Sequence, residues 1–154
     1  MLLQNKKNRL SLLLLSLFIC FCLPSCEWMR HLGKERKVIR MEVTAYCSCK
    51  KCCGWERKWG CCLMPAVYAY GPNKGKRKRV GIAADGTKAK KGTIAADASL
   101  FPFGTEMYVP GYGWGVVHDR GRAIKGHHID IFFDDHDDAM KWGRKQLDVV
   151  VITR

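Results

Sequence analysis

Short segments in which apolar and polar side chains alternate recur along most of this chain. In the segment VIRMEVTAY, residues 38–46, the alternation is typical of a strand with one buried face. Other short apolar runs, separated by turns that contain glycine, predict further strands. Those runs are residues 80–84, 92–97, 106–110, 114–118, 129–133 and 146–153. The pattern therefore indicates a mainly β protein with many tight turns.

One short helix is predicted near the C-terminus. Asp134 or Asp135 can cap its first turn, and Gly143 lies near its end. The side chains expected on its inner side are Ala139, Met140 and Trp142. About six strands and one helix favour a small closed barrel, because closure removes exposed strand edges. The 154 residues suit a single domain once a processed segment is removed.

The first residues have the organisation of an export signal. A basic stretch at residues 6–9 precedes an apolar run at residues 10–23, which has signal-peptide length and is short for a membrane span. The run ends in Leu-Pro-Ser-Cys, which resembles a bacterial lipobox with Cys26 as the lipidated residue. We therefore predict a lipoprotein-type signal peptide at residues 1–25.

Two other interpretations of this segment remain open, namely ordinary signal-peptidase cleavage and an uncleaved anchor. All three place the domain outside the cytoplasm, in the cell envelope or secreted. We expect residues 26–37 to form a tether and residues 38–154 to form the domain. A Cys-rich and basic insertion is expected at residues 47–79.

The chain is strongly basic, with a formal net charge of +13 from 27 Lys and Arg against 14 Asp and Glu. Such a charge attracts polyanions. For an exported protein, an anionic cell-wall polymer or a membrane surface is favoured over nucleic acid. The basic run at residues 74–79 has no interleaved aromatic residues for base stacking. We interpret it as a solvated face and expect no nucleic-acid partner.

Nine cysteines are present, of which Cys20 and Cys22 lie in the signal segment. The six in the domain are Cys47, Cys49, Cys52, Cys53, Cys61 and Cys62. An even number in an exported domain favours disulfides. The spacing within YCSCKKCCG also fits zinc ligation, and we favour disulfides over zinc. Either role is expected to be structural, because the cluster precedes the segments that carry the candidate catalytic residues. A nucleophilic Cys is not expected, because no histidine is near in sequence to act as its partner.

Three aspartates stand in strand-like segments, at Asp97 in IAADAS, Asp119 in VVHDRG and Asp130 in HHIDIFF. A carboxylate beside a buried strand costs desolvation free energy, so three of them together indicate a use. Three converging carboxylates suit acid catalysis on a sugar, or a hard metal ion. Each alone is more typical of a turn or helix cap, which is our interpretation of the four aspartates in residues 134–138.

These segments resemble the 3D domain, a family named for its three aspartates. The similarity covers VTAYCSCKKCCG, the stretch from GTIAADAS to HHIDIFF, and the closing HDDAMKWGRKQLDVVVI. It implies a six-stranded double-psi β-barrel, mainly β, with one short helix and a Cys-rich N-terminal insertion. It also implies kinship with the catalytic barrel of the membrane-bound lytic transglycosylase A family.

The resemblance implies an activity and a site. The family cleaves the β-1,4 bond between N-acetylmuramic acid and N-acetylglucosamine of peptidoglycan without water, which leaves a 1,6-anhydro end. The catalytic acid of the family falls on Asp130, and its two supporting aspartates fall on Asp119 and Asp97. We expect Asp119 to position Asp130 and raise its pKa, and Asp97 to bind or orient the sugar.

The remaining expectations concern substrate and partners. The residues assigned to substrate binding are Lys125, Arg122, Gly121, Tyr46 and Thr44. We expect glycan strands as the partner, contact with the membrane through the lipid anchor, and no cofactor or metal at the carboxylate site. Two alternatives stay open: a wall-binding barrel that does not cleave glycan, and a muramidase-type hydrolase that uses water in the same groove.

Overall fold

The computed structural model describes residues 35–57 and 64–153. The elements in chain order are β1 (Glu35–Tyr46), α1 (Lys50–Cys53), β2 (Trp55–Glu56), β3 (Val67–Tyr68), β4 (Thr93–Ala95), β5 (Glu106–Val109), β6 (Gly113–Asp119), β7 (His128–Phe132), α2 (His136–Trp142) and β8 (Lys145–Thr153). No helix within these residues is long and apolar enough to cross a membrane. The predicted export signal and Cys26 lie outside them.

Six strands close into a barrel in the order β1-β7-β4-β6-β5-β8. Two pairs are parallel, β1 with β7 and β4 with β6, and the other four pairs are antiparallel. The predicted fold class, mainly β with a closed six-stranded barrel, is confirmed. The two parallel pairs fit the predicted double-psi arrangement. Strands β2 and β3 form a separate two-stranded sheet.

The barrel interior is filled by alternate side chains of the six strands. On β1, Met41 and Val43 are fully buried, and on β7 Ile129 and Ile131 are fully buried. The side chains between them point outward, as the twofold period of a strand requires. The other fully or almost fully buried members of this core include Ile94, Met107, Val109, Val117, Val149 and Val151. The outward face of the same strands is therefore available for chemistry.

A close approach of two strands depends on Gly115 of β6. A Cβ placed there would lie 2.8 Å from the carbonyl oxygen of Gly92, an atom that cannot swing away. The next residue, Val116, donates its N–H to that same carbonyl at 2.8 Å. Glycine at this position therefore lets the chain pair closely with β6 just before β4 begins.

The predicted position of the helix is confirmed, and the prediction that Met140 lies on its inner side is wrong. Asp135 caps α2 by accepting hydrogen bonds from the N–H groups of Asp137 and Asp138. Ala139 and Trp142 are buried, three residues apart on one face. Met140 is 64% exposed, since a seven-residue helix on a barrel buries only a narrow stripe.

Three other predictions need correction. Residues 80–84 do not form a strand, although Ile82 makes an isolated bridge to Lys88. Gly81 has a φ of 73°, which bends the chain out of the extended conformation. The Cys-rich insertion also contains a helix of its own, α1, so the described residues hold two helices. In addition, β1 begins at Glu35, so residues 35–37 of the predicted tether belong to a strand.

Candidate active site

A bulge in β6 places Asp119 on the outer face of the barrel. The parallel pairing of β4 with β6 joins Ile94 to Val117 and then Ala95 to Asp119, skipping His118. One extra residue resets the alternation of side chains. Val117 therefore faces the core while Asp119, only two residues later, lies on the outer side with Ala95.

Asp130 reaches the same face from the other side of β4. It pairs with Ala95 across the antiparallel β4–β7 ladder and with Thr44 across the parallel β1–β7 ladder. Ala95 of β4 thus stands between Asp119 of β6 and Asp130 of β7. The backbones of β6 and β7 are about 10 Å apart, which is twice the usual strand spacing. Ala95 is itself buried, packed with Tyr46 and Phe132 in a small apolar cluster, and the two aspartates flank it.

The carboxyl group of Asp130 is held by Thr44 and largely shielded from water. Thr44 Oγ1 donates to Asp130 Oδ1 at 2.9 Å and lies 3.0 Å from His128 Nε2. Because the single hydroxyl proton goes to Asp130, Nε2 of His128 is the donor to Thr44 in this arrangement. The three side chains form one hydrogen-bonded row on the outer face of β1 and β7.

Burial raises the pKa of Asp130 from 3.8 to about 6, and repulsion from Asp119 adds to the increase. The Thr44 hydrogen bond and the charge on His128 lower that pKa part of the way. An aspartic acid with this pKa exchanges a proton close to neutral pH. It is therefore suited to donate and then recover a proton in one reaction cycle.

Three donors converge on Asp119. Tyr46 Oη donates to Oδ2 at 3.0 Å, while the N–H groups of Ala84 and Arg120 donate to Oδ1 at 3.0 and 2.9 Å. Burial, followed by the charge on Asp119, raises the pKa of Tyr46, so that the hydroxyl keeps its proton and remains a donor. Thr44 and Tyr46, two residues apart on β1, therefore hold one aspartate each.

Asp97 has a different environment. Its carboxylate accepts hydrogen bonds from the Ser99 hydroxyl at 2.7 Å and from the Gly126 N–H at 3.1 Å, and Lys125 Nζ lies 4.0 Å away. The Ser99 hydroxyl and the Gly126 N–H lower its pKa to about 2. Gly126 belongs to the loop that joins Asp119 to Asp130, so Asp97 fixes that loop and stays ionised.

The structure thus brings two of the three predicted aspartates together and places the third at their connecting loop. Among the described residues, no hydrogen bond joins Asp97 to Asp119 or Asp130. The expectation that Asp119 raises the pKa of Asp130 agrees with this geometry, although burial is the larger cause.

The predicted substrate-binding residues fall into two groups. Thr44 and Tyr46 lie in the site as donors to the aspartates. Lys125 has a side chain 70% exposed beside Asp97, where it can reach a ligand. The guanidinium of Arg122 lies against Gly71 in the insertion, where an added Cβ would come within 2.8 Å of Nη2. Gly121 packs under Ile124 in the same loop.

A second cluster of polar side chains joins three of the cysteines that the sequence singled out to a histidine that it missed. The thiols of Cys47, Cys49 and Cys52 and a ring nitrogen of His136 all lie within 4.8 Å of one another. His136 is 84 residues from Cys52, and nothing in the local sequence links the two. These residues could hold a soft metal ion.

The cysteines differ from what we favoured from the sequence. The described ones, Cys47, Cys49, Cys52 and Cys53, are free thiols, so the preference for disulfides is wrong for these four. Cys61 and Cys62 lie outside the described residues.

The comparison with protein families supports the sequence resemblance. Residues 92–153 match the family described as the 3D domain. This segment includes strands β4 to β8, helix α2 and all three aspartates. The resemblance recognised from the sequence is thereby confirmed for this segment.

Two relatives from Bacillus subtilis (strain 168) share part of the chain. The cell wall-binding protein YocH is 39% identical over 94 residues, which cover 58% of this chain and 32% of that protein. The cell wall shaping protein YabE is 39% identical over 59 residues, which cover 38% of this chain and 14% of that protein. The chain thus spans at most about a third of the length of either relative.

Among solved structures, similarity is found to MltA from E. coli. The match has a TM-score of 0.41 and 24% identity, and covers 47% of this chain and 27% of that one. The structure of MltA with bound chitohexaose matches with a TM-score of 0.41 and 23% identity, over the same shares of the two chains.

The raised pKa of Asp130 makes a prediction about stability. Between about pH 4 and pH 6 the folded protein binds more protons at this group than the unfolded chain, so wild-type stability falls as pH rises through that window. Asp130→Asn lacks this loss. The difference in free energy of unfolding between the variant and wild type should therefore shift in favour of the variant by up to about 3 kcal/mol from pH 4 to pH 7. Urea unfolding at both pH values measures this shift.

Asp97→Asn is the matched control with the opposite sign. Its lowered pKa stabilises the folded state above about pH 4 and ceases to do so as pH falls toward 2. Asp97→Asn should therefore be less stable than wild type at pH 7. A pH-independent difference between Asp130→Asn and wild type would contradict the buried, proton-holding environment of Asp130.

Proposed function

We propose that this protein is an exported peptidoglycan lytic transglycosylase, with Asp130 as its catalytic acid and base. The observation that supports this most directly is the state of Asp130, whose buried carboxyl group has a pKa of about 6 beside a second aspartate. The position of Asp130 within the 3D-domain segment agrees with the catalytic acid of the family that the sequence resembles.

Cleavage of a glycosidic bond needs a proton on the leaving oxygen and stabilisation of an oxocarbenium-like centre. In the non-hydrolytic reaction, Asp130 in its protonated form gives its proton to the oxygen of the departing N-acetylglucosamine. Asp130 then takes the proton from the 6-hydroxyl of the muramic acid as that oxygen bonds to the anomeric carbon. The carboxyl group is protonated again at the end, and no water is consumed.

The environment of Asp119 favours this reaction over hydrolysis. A hydrolase of the two-carboxylate type requires a second carboxylate that is free to attack the sugar or activate water. Both oxygens of Asp119 are already engaged, by Tyr46 and by the N–H groups of Ala84 and Arg120. Asp119 is therefore better suited to keep a negative charge beside the developing positive centre and to keep the pKa of Asp130 high.

The surroundings supply contacts for the rest of the substrate. Lys125 is exposed beside Asp97 and can pair with an acidic group of the substrate, such as a muramic lactyl carboxylate that carries no peptide. The net charge of +13 favours association with the anionic polymers of the wall. The export signal proposed for residues 1–25, with lipidation at Cys26, would hold the enzyme in the cell envelope next to its substrate.

The relatives are consistent with a role at the wall. Both are named for the cell wall, one for binding it and one for shaping it. The first name also favours a second candidate, in which the barrel binds wall glycan without cleaving it. The two functions differ in their products, because only the transglycosylase creates anhydro ends.

Product analysis distinguishes the candidates. We expect the purified protein, incubated with purified sacculi, to release muropeptides with anhydro ends that mass spectrometry detects. Asp130→Asn should lower this release by at least about a hundredfold, the usual contribution of a general acid. Asp148→Asn, at an exposed position on β8, is the matched control and should retain wild-type activity.

Reducing ends in place of anhydro ends would show a hydrolase. Binding to sacculi without any release, by protein whose circular dichroism shows a folded barrel, would show a wall-binding module and contradict the proposal.

The pH dependence of the reaction follows from the pKa of Asp130. The acid must start protonated, so kcat/KM should fall as pH rises through about 6. Thr44→Val removes a hydrogen bond that lowers this pKa, and should move the falling limb to higher pH. Asp119→Asn removes a like charge, and should move the limb to lower pH. Shifts of both variants in the same direction would argue against Asp130 as the titrating acid.

A further inference from the structure

The cluster of three thiols and one imidazole joins three separate parts of the fold. Cys47 directly follows β1, Cys49 caps the N-terminus of α1, and Cys52 lies within α1. His136 is the first residue of α2, the helix that follows β7 in the chain. Cys47 is buried and the other three are partly buried.

The distances in this cluster match those around a tetrahedral zinc ion. Zn–S bonds of about 2.3 Å and Zn–N bonds of about 2.0 Å separate two sulfurs by about 3.8 Å and a sulfur from a nitrogen by about 3.5 Å. The sulfurs of Cys47 and Cys52 are 3.7 Å apart. His136 Nδ1 lies 3.7, 3.5 and 3.6 Å from the sulfurs of Cys47, Cys49 and Cys52.

We propose that Cys47, Cys49, Cys52 and His136 bind one zinc ion in a closed, structural site. Soft thiolates with an imidazole are ligands that zinc prefers, and four protein ligands leave no position for substrate or water. A disulfide is the competing chemistry for an exported protein, and it requires a sulfur–sulfur distance of about 2.05 Å. The 3.7 Å between Cys47 and Cys52 fits shared metal ligands instead.

Neighbouring groups support the ligands. The N–H of Cys52 donates to the sulfur of Cys49 at 3.4 Å, a contact that stabilises a thiolate. Lys50 and Lys51 are in the same helix, and their charge offsets the net negative charge of three thiolates on one zinc ion. Such outer contacts orient ligands and strengthen metal binding.

The fourth described cysteine of this segment is turned away from the cluster. The thiol of Cys53 donates to the carbonyl oxygen of Cys47 at 3.1 Å and is not among the four grouped ligands. Cys53 therefore provides a matched control, with the same residue type next to a ligand in the same helix.

The metal would fix the backbone beside the candidate active site. Cys47 directly follows Tyr46, whose hydroxyl donates to Asp119 and whose carbonyl accepts the N–H of Phe133 at 2.8 Å. A zinc ion would link the end of β1 to the start of α2. It would thereby restrain this strand end in addition to the hydrogen bond from Phe133. The site is structural, and its existence does not depend on the proposed glycan cleavage.

Metal analysis of the full-length protein tests the site. We expect about one zinc ion per chain, and expect cobalt(II) substituted for it to show the intense visible absorption of a tetrahedral thiolate site. Cys52→Ser and His136→Ala should each weaken zinc affinity by more than about tenfold, while Cys53→Ser retains wild-type affinity. Near-ultraviolet circular dichroism verifies that each variant is folded.

The cobalt spectrum of the wild-type protein is informative even where a variant fails to fold. Absence of bound metal together with a Cys47–Cys52 disulfide in peptide mapping would overturn the proposal. An octahedral cobalt spectrum would also overturn it, as would equal loss of zinc from Cys53→Ser and Cys52→Ser. Loss of zinc from Cys61→Ser or Cys62→Ser, with Cys52→Ser unaffected, would replace the ligand set and contradict this one.

Discussion

The site depends on one constraint, which is the burial of the Asp130 carboxyl group on the outer face of a closed barrel. A free aspartate is almost fully ionised at neutral pH and cannot serve as an acid. Burial penalises the charged form and raises the pKa of Asp130 to about 6. Asp119 contributes repulsion, and Thr44 and His128 limit the rise. The balance leaves a group that can both give and accept a proton under ordinary conditions.

The barrel allows that burial and brings the two aspartates together. Its apolar side chains fill the interior, so the outer side of β1, β7, β4 and β6 is free for polar contacts. The bulge at His118 turns Asp119 to the same side as Asp130, with Ala95 between them. Asp97 affects the site indirectly, because it anchors the loop from Asp119 to Asp130 through Gly126. The three aspartates of the sequence motif therefore have different environments.

Much of the barrel follows from the sequence, because strands with one buried face alternate visibly, as in residues 38–46. Residues 80–84 show the limit, since a turn at Gly81 overrides a run that is apolar enough for a strand. The three aspartates were found by their setting, and the family resemblance assigned their order of importance. The bulge was not predictable, because a shift of register depends on the partner strand. His136 was missed because its partners are distant along the chain and meet it only in the folded barrel.

The most direct test of the central claim is a titration of Asp130 itself. Protein labelled with carbon-13 at the aspartate side-chain carboxyl is followed by NMR as a function of pH, and the Asp130 resonance is identified by its absence from Asp130→Asn. The account predicts a titration midpoint near 6 for this resonance. A midpoint near 4, the value of an aspartate in water, would contradict it.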